Sequence, residues 1–583
     1  MSVAGALYAS NRDGIATSGS IKLRLAKSLD EPKDYWASVH FDQSNFEEVQ
    51  TFVRRHYIDP KVDWDRAYQE AAAFALRSDE KRPMILIPKS FYDARKDHKD
   101  ERGLLKGKAH RLAKVPGVVI VEEGKIEKEK DKRYSDDEIR QARKDRKARW
   151  SLLVQSWKKV AWGERQFQAA LNFANLNLGK DPKWTMKRAW IAAARGFLYS
   201  LDHHSDLISK EAWDDATAET TDASFEGIGA ILTRRQDSDY TIVESPIDGQ
   251  PALKAGLRAG DIILKVDGTD IRNWLLNKVV KKIRGKKGTK VVLTVNREGS
   301  SKPVDVPIIR ARIDIKNVSG RLIKHHNGLG YIKLTGFVKT TTSEMVRIFG
   351  ELSRKATGLR GLVLDLRRNS GGLLRQGIQV ADRFVDEGRI VSVQQRGGVM
   401  EHEMATPTSW DLPVVVVVDD GSASASEIVA SAIQENGRGL VVGDRTFGKA
   451  SVQTLFNPFI QKDYYIKLTV ARYYSPTGLT LQVHGVSPDI AVPPALDGKM
   501  PLGFREEDLS HHLSAITGSR SNPNKDYVDR VKACVGKSGT SRKIHDSDPN
   551  PAIKFDYQLM FAADALECMI SNPTRLAKHR EVR

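Results

Sequence analysis

Hydrophobic and polar positions change rhythm several times along this chain, and each change marks a different kind of element. The first 90 residues read as mostly helical. "DWDRAYQEAAAFAL" opens on a predicted N-cap, Asp63, and continues with strong helix formers. From 150 to 200 the spacing of Trp184, Trp190, Ala194, Phe197 and Leu198 predicts another helix with an apolar face, so these tryptophans read as core. At 223 the texture shifts to short Val- and Ile-rich runs bounded by Gly, Pro or Asp: "YTIVESP", "DIILKVDG", "KVVLTVNREG" and "VDVPIIRA". These predict strands, with "PALKAGL" and "WLLNKVVKKI" as short helices between them. From 328 to 490 strands alternate with helices. "GLRGLVLDL" precedes "LLRQGIQVADRFV", and "PVVVVVDD" precedes "SEIVASAIQEN". That alternation predicts an α/β layered core. The remainder, 500 to 583, reads as helical and polar, with a Ser-, Asn- and Lys-rich loop near 517 to 525. No internal repeat is visible.

Composition adds limits. A chain of 583 residues exceeds one core, so several domains are expected. It is 40% hydrophobic and 29% charged, ordinary values for a globular protein, and no run approaches the ~20 apolar residues of a membrane span. The formal net charge is +19, and about a third of that excess falls between 94 and 148. A basic run invites an anionic partner. Here acidic residues alternate with basic ones and stacking aromatics are nearly absent, which favours a solvated, ion-paired face. The two cysteines, Cys534 and Cys568, form no zinc-type spacing, and they allow one disulfide in an oxidising compartment. The N-terminus lacks a charged and apolar leader, although "AGA" at Ala4–Ala6 has the small-x-small form of a cleavage site.

Candidate chemistry concentrates at two bends. In "DDGSASASE" a run of five valines ends, and a helix begins near Ser424. A serine at a strand-to-helix bend sits beside free N–H groups that can stabilise an oxyanion. Ser422, Ser424 and Ser426 all stand there, and Ser424 with Glu427 also has the spacing of a helix capping box. Further on, "GDRTFGKASVQ" carries Lys449. An ordinary lysine is deprotonated in about one molecule in a few thousand at neutral pH. Burial that lowers its pKa to roughly 7 to 8 makes it a general base. Phe447, Val452 and Leu455 are available to desolvate it, and Gln453 to hold the neutral amine without adding charge. A second bend, "DLRRNSGG", brings Gly371 and Gly372 to the end of a predicted strand. Their N–H groups, with that of Ala425, are candidates for an oxyanion hole.

Together these stretches resemble the carboxyl-terminal processing (tail-specific) proteases. That family shows "SASASE" followed by "TFGKxxVQ", with the nucleophile 25 positions before the lysine, which selects Ser424. "DLRRNSGG" resembles its "DLRxNPGG", with Ser370 for proline. "LDHHSDLIS" resembles its "LDPHSxYLS", with His203 for proline and Leu207 for tyrosine. "GYIKLTGF", "ARYYSPTG" and "GVSPDI" also match, and "ALKAGLRAGDIILKVDG" resembles the family's PDZ domain.

The resemblance implies a multidomain α/β fold with a ClpP/crotonase-like protease core interrupted by a PDZ domain. Its parts are a helical N-terminal region with the basic insertion (1–149), a segment joining the core (150–222), the PDZ domain (223–310), the protease core (311–500) and a helical C-terminal region (501–583). It implies a serine endopeptidase with Ser424 as nucleophile, Lys449 as base, Gln453 as its support and Gly371, Gly372 and Ala425 as oxyanion donors. No metal or other cofactor is implied. In "SFEGIGAIL", Gly227, Ile228, Gly229 and Ala230 are expected to bind the C-terminus of a peptide or protein substrate with an apolar tail. Relatives work in the periplasm or otherwise outside the cytoplasmic membrane, so export is expected. An adaptor protein, or an anionic polymer at the basic insertion, is a further candidate partner. Two other classes stay open: a catalytically weak PDZ adaptor, and an anion-binding protein that uses the insertion.

Overall fold

Strands and helices alternate across 318–491 as the sequence predicts. The strands are β1 (Val318–Leu322), β2 (Leu329–Leu334), β3 (Gly361–Asp365), β4 (Val414–Val418), β5 (Gly439–Gly443) and β6 (Ile490–Ala491), lying side by side in that order. The first pair is antiparallel and the rest are parallel. Helices α1 (Thr341–Lys355), α2 (Leu374–Ala381) and α3 (Ala425–Glu435) make crossovers.

The valine run explains the layering. Val414, Val416 and Val418 join the core beneath these helices, while Val415 and Val417 join a second core on the other face. A central parallel strand covered on both faces has no need of polar alternation. The second cover comes from C-terminal helices Lys525–Ser538 and Tyr557–Ser571. The latter buries Leu559, Ala562, Ala563, Leu566 and Met569, so these two helices are a structural layer where the composition suggests a polar region.

The computed structural model describes residues 35–79, 83–95, 109–122, 141, 152–178, 184–214, 224–494, 500, 503–515, 524–538, 556–573 and 576, apart from short stretches inside these spans. Ala4–Ala6, most of the charged run 94–148 and most of the loop 517–525 lie outside them.

At the N-terminal side, helices Gln43–His56, Trp64–Leu76, Glu164–Leu178 and Met186–Leu201 share one core. Asp63 caps the second, accepting from Arg66 N–H at 3.0 Å. Trp184 and Trp190 lie in that core, with Phe197 and Leu198. Tyr464, Ile466 and Leu468 of the long strand Tyr464–Tyr474 complete it, and Asp206–Ser209 pairs antiparallel with that strand. The described residues of 35–214 are therefore built into the same unit as this strand. One part of the N-terminal region departs from the helical reading: Met84–Pro88, Val118–Glu122 and Ala109–Arg111 form a three-stranded antiparallel sheet. Its β-branched runs are short and separated by charged sequence, so no local pattern joins them.

The block after 223 is a separate antiparallel sheet, with strands Val304–Ile309, Lys290–Asn296, Ile262–Val266, Thr241–Pro246 and Ala230–Thr233 in spatial order. Helix Leu276–Ile283 supplies Val279 and Ile283 to its core. The chain enters on Ser224–Gly227 and leaves on Ala311–Asp314, and these two strands pair with each other. The domain is thus an insertion on a two-stranded stem, which carries the boundary a few residues past 310.

Cys534 and Cys568 form a disulfide between the two C-terminal helices, 34 residues apart in sequence. Loop-closure entropy for that separation is worth about 3 to 4 kcal/mol. Replacing Cys534 by Ser is therefore expected to lower the denaturation midpoint. Adding a thiol reductant should destabilise the parent and leave the variant unchanged. Equal midpoints for parent and variant under oxidising conditions would show that the bridge contributes nothing.

Candidate active site

Three neighbouring strands end at the same place. The turn 366–372 follows β3, the bend 419–424 follows β4, and the loop 444–450 follows β5. In parallel α/β sheets, such carboxyl ends are where side chains from different loops converge.

The three serines at the β4 bend separate cleanly. Ser422 and Ser426 are fully buried. The Ser422 hydroxyl donates to Leu366 O at 2.9 Å, and that of Ser426 to Asn369 O at 2.8 Å, so both are structural ties between the bends. Ser424 alone of the three is partly exposed. It is the N-cap of α3 and sits at φ 56°, ψ −115°. A non-glycine residue there carries strain of about 1–3 kcal/mol, which the surrounding hydrogen bonds must hold.

Glu427 is the hub of those bonds. Fully buried, it accepts from Ser424 N–H (2.7 Å) and Lys449 N–H (2.9 Å) on Oε2. Oε1 accepts from the Thr446 hydroxyl (2.6 Å) and Gly448 N–H (2.7 Å). One carboxylate oxygen thus joins the backbone of the serine to that of the lysine. Burial pushes its pKa up to about 7 against the pull of these four donors. The sequence identifies Glu427 only as a capping partner. Its other three donors lie 19 to 22 residues away, beyond any local pattern.

Lys449 Nζ donates to Ser451 O (2.8 Å) and to Gln453 Oε1 (2.9 Å). Gln453 is oriented by its own amide, which donates to Ser451 Oγ (3.0 Å) and Thr469 Oγ1 (3.2 Å). Lys449 is half-buried, and the desolvation of its amine by the surrounding protein pushes its pKa down to about 8, against the opposing charge of Glu506. Among the described residues no hydrogen bond joins Lys449 Nζ to Ser424. Phe447 packs with Ala423 and Leu509 next to the lysine, while Val452 and Leu455 are only half-buried. Tyr473 donates to Lys449 O, and burial drives its phenol well above the usual range.

At the glycine bend, Asn369 is fully buried, with Nδ2 donating to Leu334 O at 3.0 Å. Gly371 has φ 99°, and a Cβ there would lie 2.7 Å from Ser424 Cβ and 2.8 Å from Ala423 O. Its value is close approach. Its N–H, expected to be an oxyanion donor, is instead bound to Asn369 Oδ1 at 3.0 Å, the usual side-chain turn of an asparagine two residues earlier. Gly372 is exposed with φ 146°, and its N–H and that of Ala425 donate to no described acceptor.

In the inserted domain, Ala230 begins strand Ala230–Thr233, which is an edge of the sheet. Gly229 has φ 71°, and a Cβ there would lie 2.4 Å from Gln250 Cβ, so this turn requires glycine. Ile228 is buried and its carbonyl accepts from Ala252 N–H. Gly227 differs from the other three, being paired with Ala311 in the stem.

Residues 328–492 match peptidase family S41, and residues 220–296 match the PDZ domain. The carboxy-terminal-processing protease of Bartonella bacilliformis is 40% identical over 331 residues, covering 56% of this chain and 74% of that protein. The carboxy-terminal processing protease CtpA of Bacillus subtilis is 37% identical over 364 residues, 61% and 73% of the two chains. That of Picosynechococcus is 33% identical over 370 residues, 62% and 87%. A solved photosystem II D1 C-terminal processing protease is 31% identical over 56% of this chain and 89% of its own, with a TM-score of 0.35.

Proposed function

The chain belongs to the carboxy-terminal processing proteases, serine-type peptidases that carry a PDZ domain, and we propose that it cuts proteins chosen by their free C-termini through a dyad of Ser424 and Lys449. Ser424 Oγ attacks the scissile carbonyl, and neutral Lys449 takes its proton and returns it to the leaving amine. Ser451 O and Gln453 Oε1 accept both N–H bonds of a neutral amine, which leaves its lone pair for the serine proton. Gly372 and Ala425 offer their N–H groups to the tetrahedral oxyanion. The observation that carries this reading is the shared Glu427 oxygen, which ties Ser424 and Lys449 together at their backbones.

The PDZ domain selects tails. A substrate's last residues add as a strand beside Ala230–Thr233, with the carboxylate at the Ile228–Gly229 turn and apolar side chains facing half-buried Leu276 and Val280 of the neighbouring helix. Two substrates with the same unfolded body and the same apolar tail, one ending as the acid and the other as the amide, are the test. The amide should be cut roughly tenfold more slowly, because hydrogen bonds to a charged acceptor are lost. Excising 228–310 leaves the stem strands to pair and should erase the difference. Equal cleavage of both substrates by the full chain would remove tail selection and leave the domain another role.

Export is part of the same proposal: a disulfide between two core-covering helices suits an oxidising compartment.

A further inference from the structure

Residues 503–513 belong to the C-terminal region, outside the 328–492 match to the peptidase family, yet they run directly over the catalytic loops. Gly503 approaches Asp420 so closely that a Cβ would lie 2.7 Å from the Asp420 Cβ. Phe504 and Leu509 pack with Ala423 and Phe447. Arg505 pairs with Asp444 at 2.8 Å, and Glu507 pairs with Arg445. His511 O accepts from His203 N–H at 3.2 Å.

Glu506, at the centre of this strap, is fully buried. Its N–H donates to Phe447 O at 3.0 Å. Its carboxylate accepts from Gln482 Nε2 at 2.8 Å, and Gln482 Oε1 in turn accepts from Ala450 N–H at 2.9 Å. Residues 447 and 450, on either side of Lys449, are therefore both fixed by Glu506. The same carboxylate meets His204 Nε2 at 3.0 Å on each oxygen. From His204 the network returns to the lysine. The His204 backbone N–H and the Thr469 hydroxyl both donate to Asp202, Thr469 accepts from Gln453, and Gln453 accepts from Lys449 Nζ.

We propose that Glu506 is a positioning residue for Lys449, delivered to the active site by the C-terminal strap. The inference rests on the reading of Lys449 as general base. A lysine that must present one lone pair to one hydroxyl needs its backbone fixed on both sides, since misplacement by about 1 Å costs on the order of 10²-fold in rate. Glu506 also sets the charge around the amine. Burial raises its own pKa, but His204, Gln482 and Lys449 outweigh that and hold the carboxyl below the ordinary range, so it stays ionised. The other groups acting on Lys449 are Lys467, Asp202 and Glu427, with the Tyr473 hydroxyl on its carbonyl.

The test is the pH dependence of kcat and KM for an unfolded protein substrate with the full chain. Glu506→Gln keeps the shape and the Gln482 contact but removes the charge that favours protonated Lys449. The acid limb of its profile should move to lower pH. Glu506→Ala should lower kcat by roughly tenfold or more with KM little changed. Glu507→Gln, an exposed neighbour in the same strap, should match the parent in both respects. A folded Glu506→Gln protein with the parent's limb and kcat would overturn the proposal, and this isosteric variant decides the matter if Glu506→Ala does not fold. Lys449→Ala separates the two layers. If it is inactive while the Glu506 variants behave as parent, the positioning role alone fails; if it is active, the dyad itself fails.

Discussion

Ser424→Ala is expected to abolish peptide-bond cleavage, with kcat falling by roughly 10⁶-fold, while the protein stays folded. The hydroxyl is the only part removed. Ser424 N–H still donates to Glu427, and an alanine Cβ occupies the place beside Gly371 that the serine Cβ fills now. Loss of an N-cap hydroxyl costs about 1 kcal/mol, a small shift in a melting curve. Ser422→Ala and Ser426→Ala reverse the pattern. Each deletes a buried hydrogen bond to a carbonyl across the two bends and should cost about 1–3 kcal/mol of stability, with cleavage retained under conditions where the variant is folded. A serine-directed phosphonate probe should label the parent and both flanking variants, but not Ser424→Ala. A Ser424→Ala protein that still cuts, beside a flanking variant that is folded and dead, would move the nucleophile elsewhere and remove the argument from exposure.

What the sequence makes legible here is chemistry carried by residue type at short range. The serine bend, the lysine turn and Gln453 lie in compact motifs, and the strand–helix alternation around them predicts the layered sheet that holds them. Tertiary polar contacts are different. Glu427 reads as an ordinary capping acid because its remaining donors come from another loop, and Glu506 stands in "FREEDLS" with nothing to mark it apart from Glu507. Burial separates the two: Glu506 is enclosed and Glu507 keeps its carboxylate in solvent. Gly371 shows a subtler limit. The motif gives a glycine at the right bend, but only the position of the Asn369 side chain reveals that its N–H is already taken. The C-terminal helix was masked by its neighbours' composition; an apolar face within Tyr557–Ser571 is outweighed by charged flanks when the region is averaged.

Lys449→Arg is expected to be as inactive as Lys449→Ala. Arginine keeps the positive charge and can still donate to Ser451 O or Gln453 Oε1, but it does not release a proton near neutral pH. The comparison therefore separates proton transfer from simple electrostatics. The parent's pH profile supplies the second half of the test. With the amine at about 8, roughly a tenth of the molecules carry a neutral lysine at pH 7, against a few in ten thousand for an ordinary lysine. The neutral amine is the active form, so kcat should rise with pH through that region and flatten above it. Glu427, raised to about 7 by burial, titrates in the same range and interacts with the lysine, so the limb belongs to the pair and should be broader than one group alone gives. Protonating Glu427 adds to the loss on the acid side, because a neutral carboxyl is a weaker acceptor for the Ser424 and Lys449 N–H groups. A Lys449→Arg protein that retained cleavage, or a parent profile flat between pH 6 and 9, would show that this lysine does not move the serine's proton, whatever its place beside Ser424.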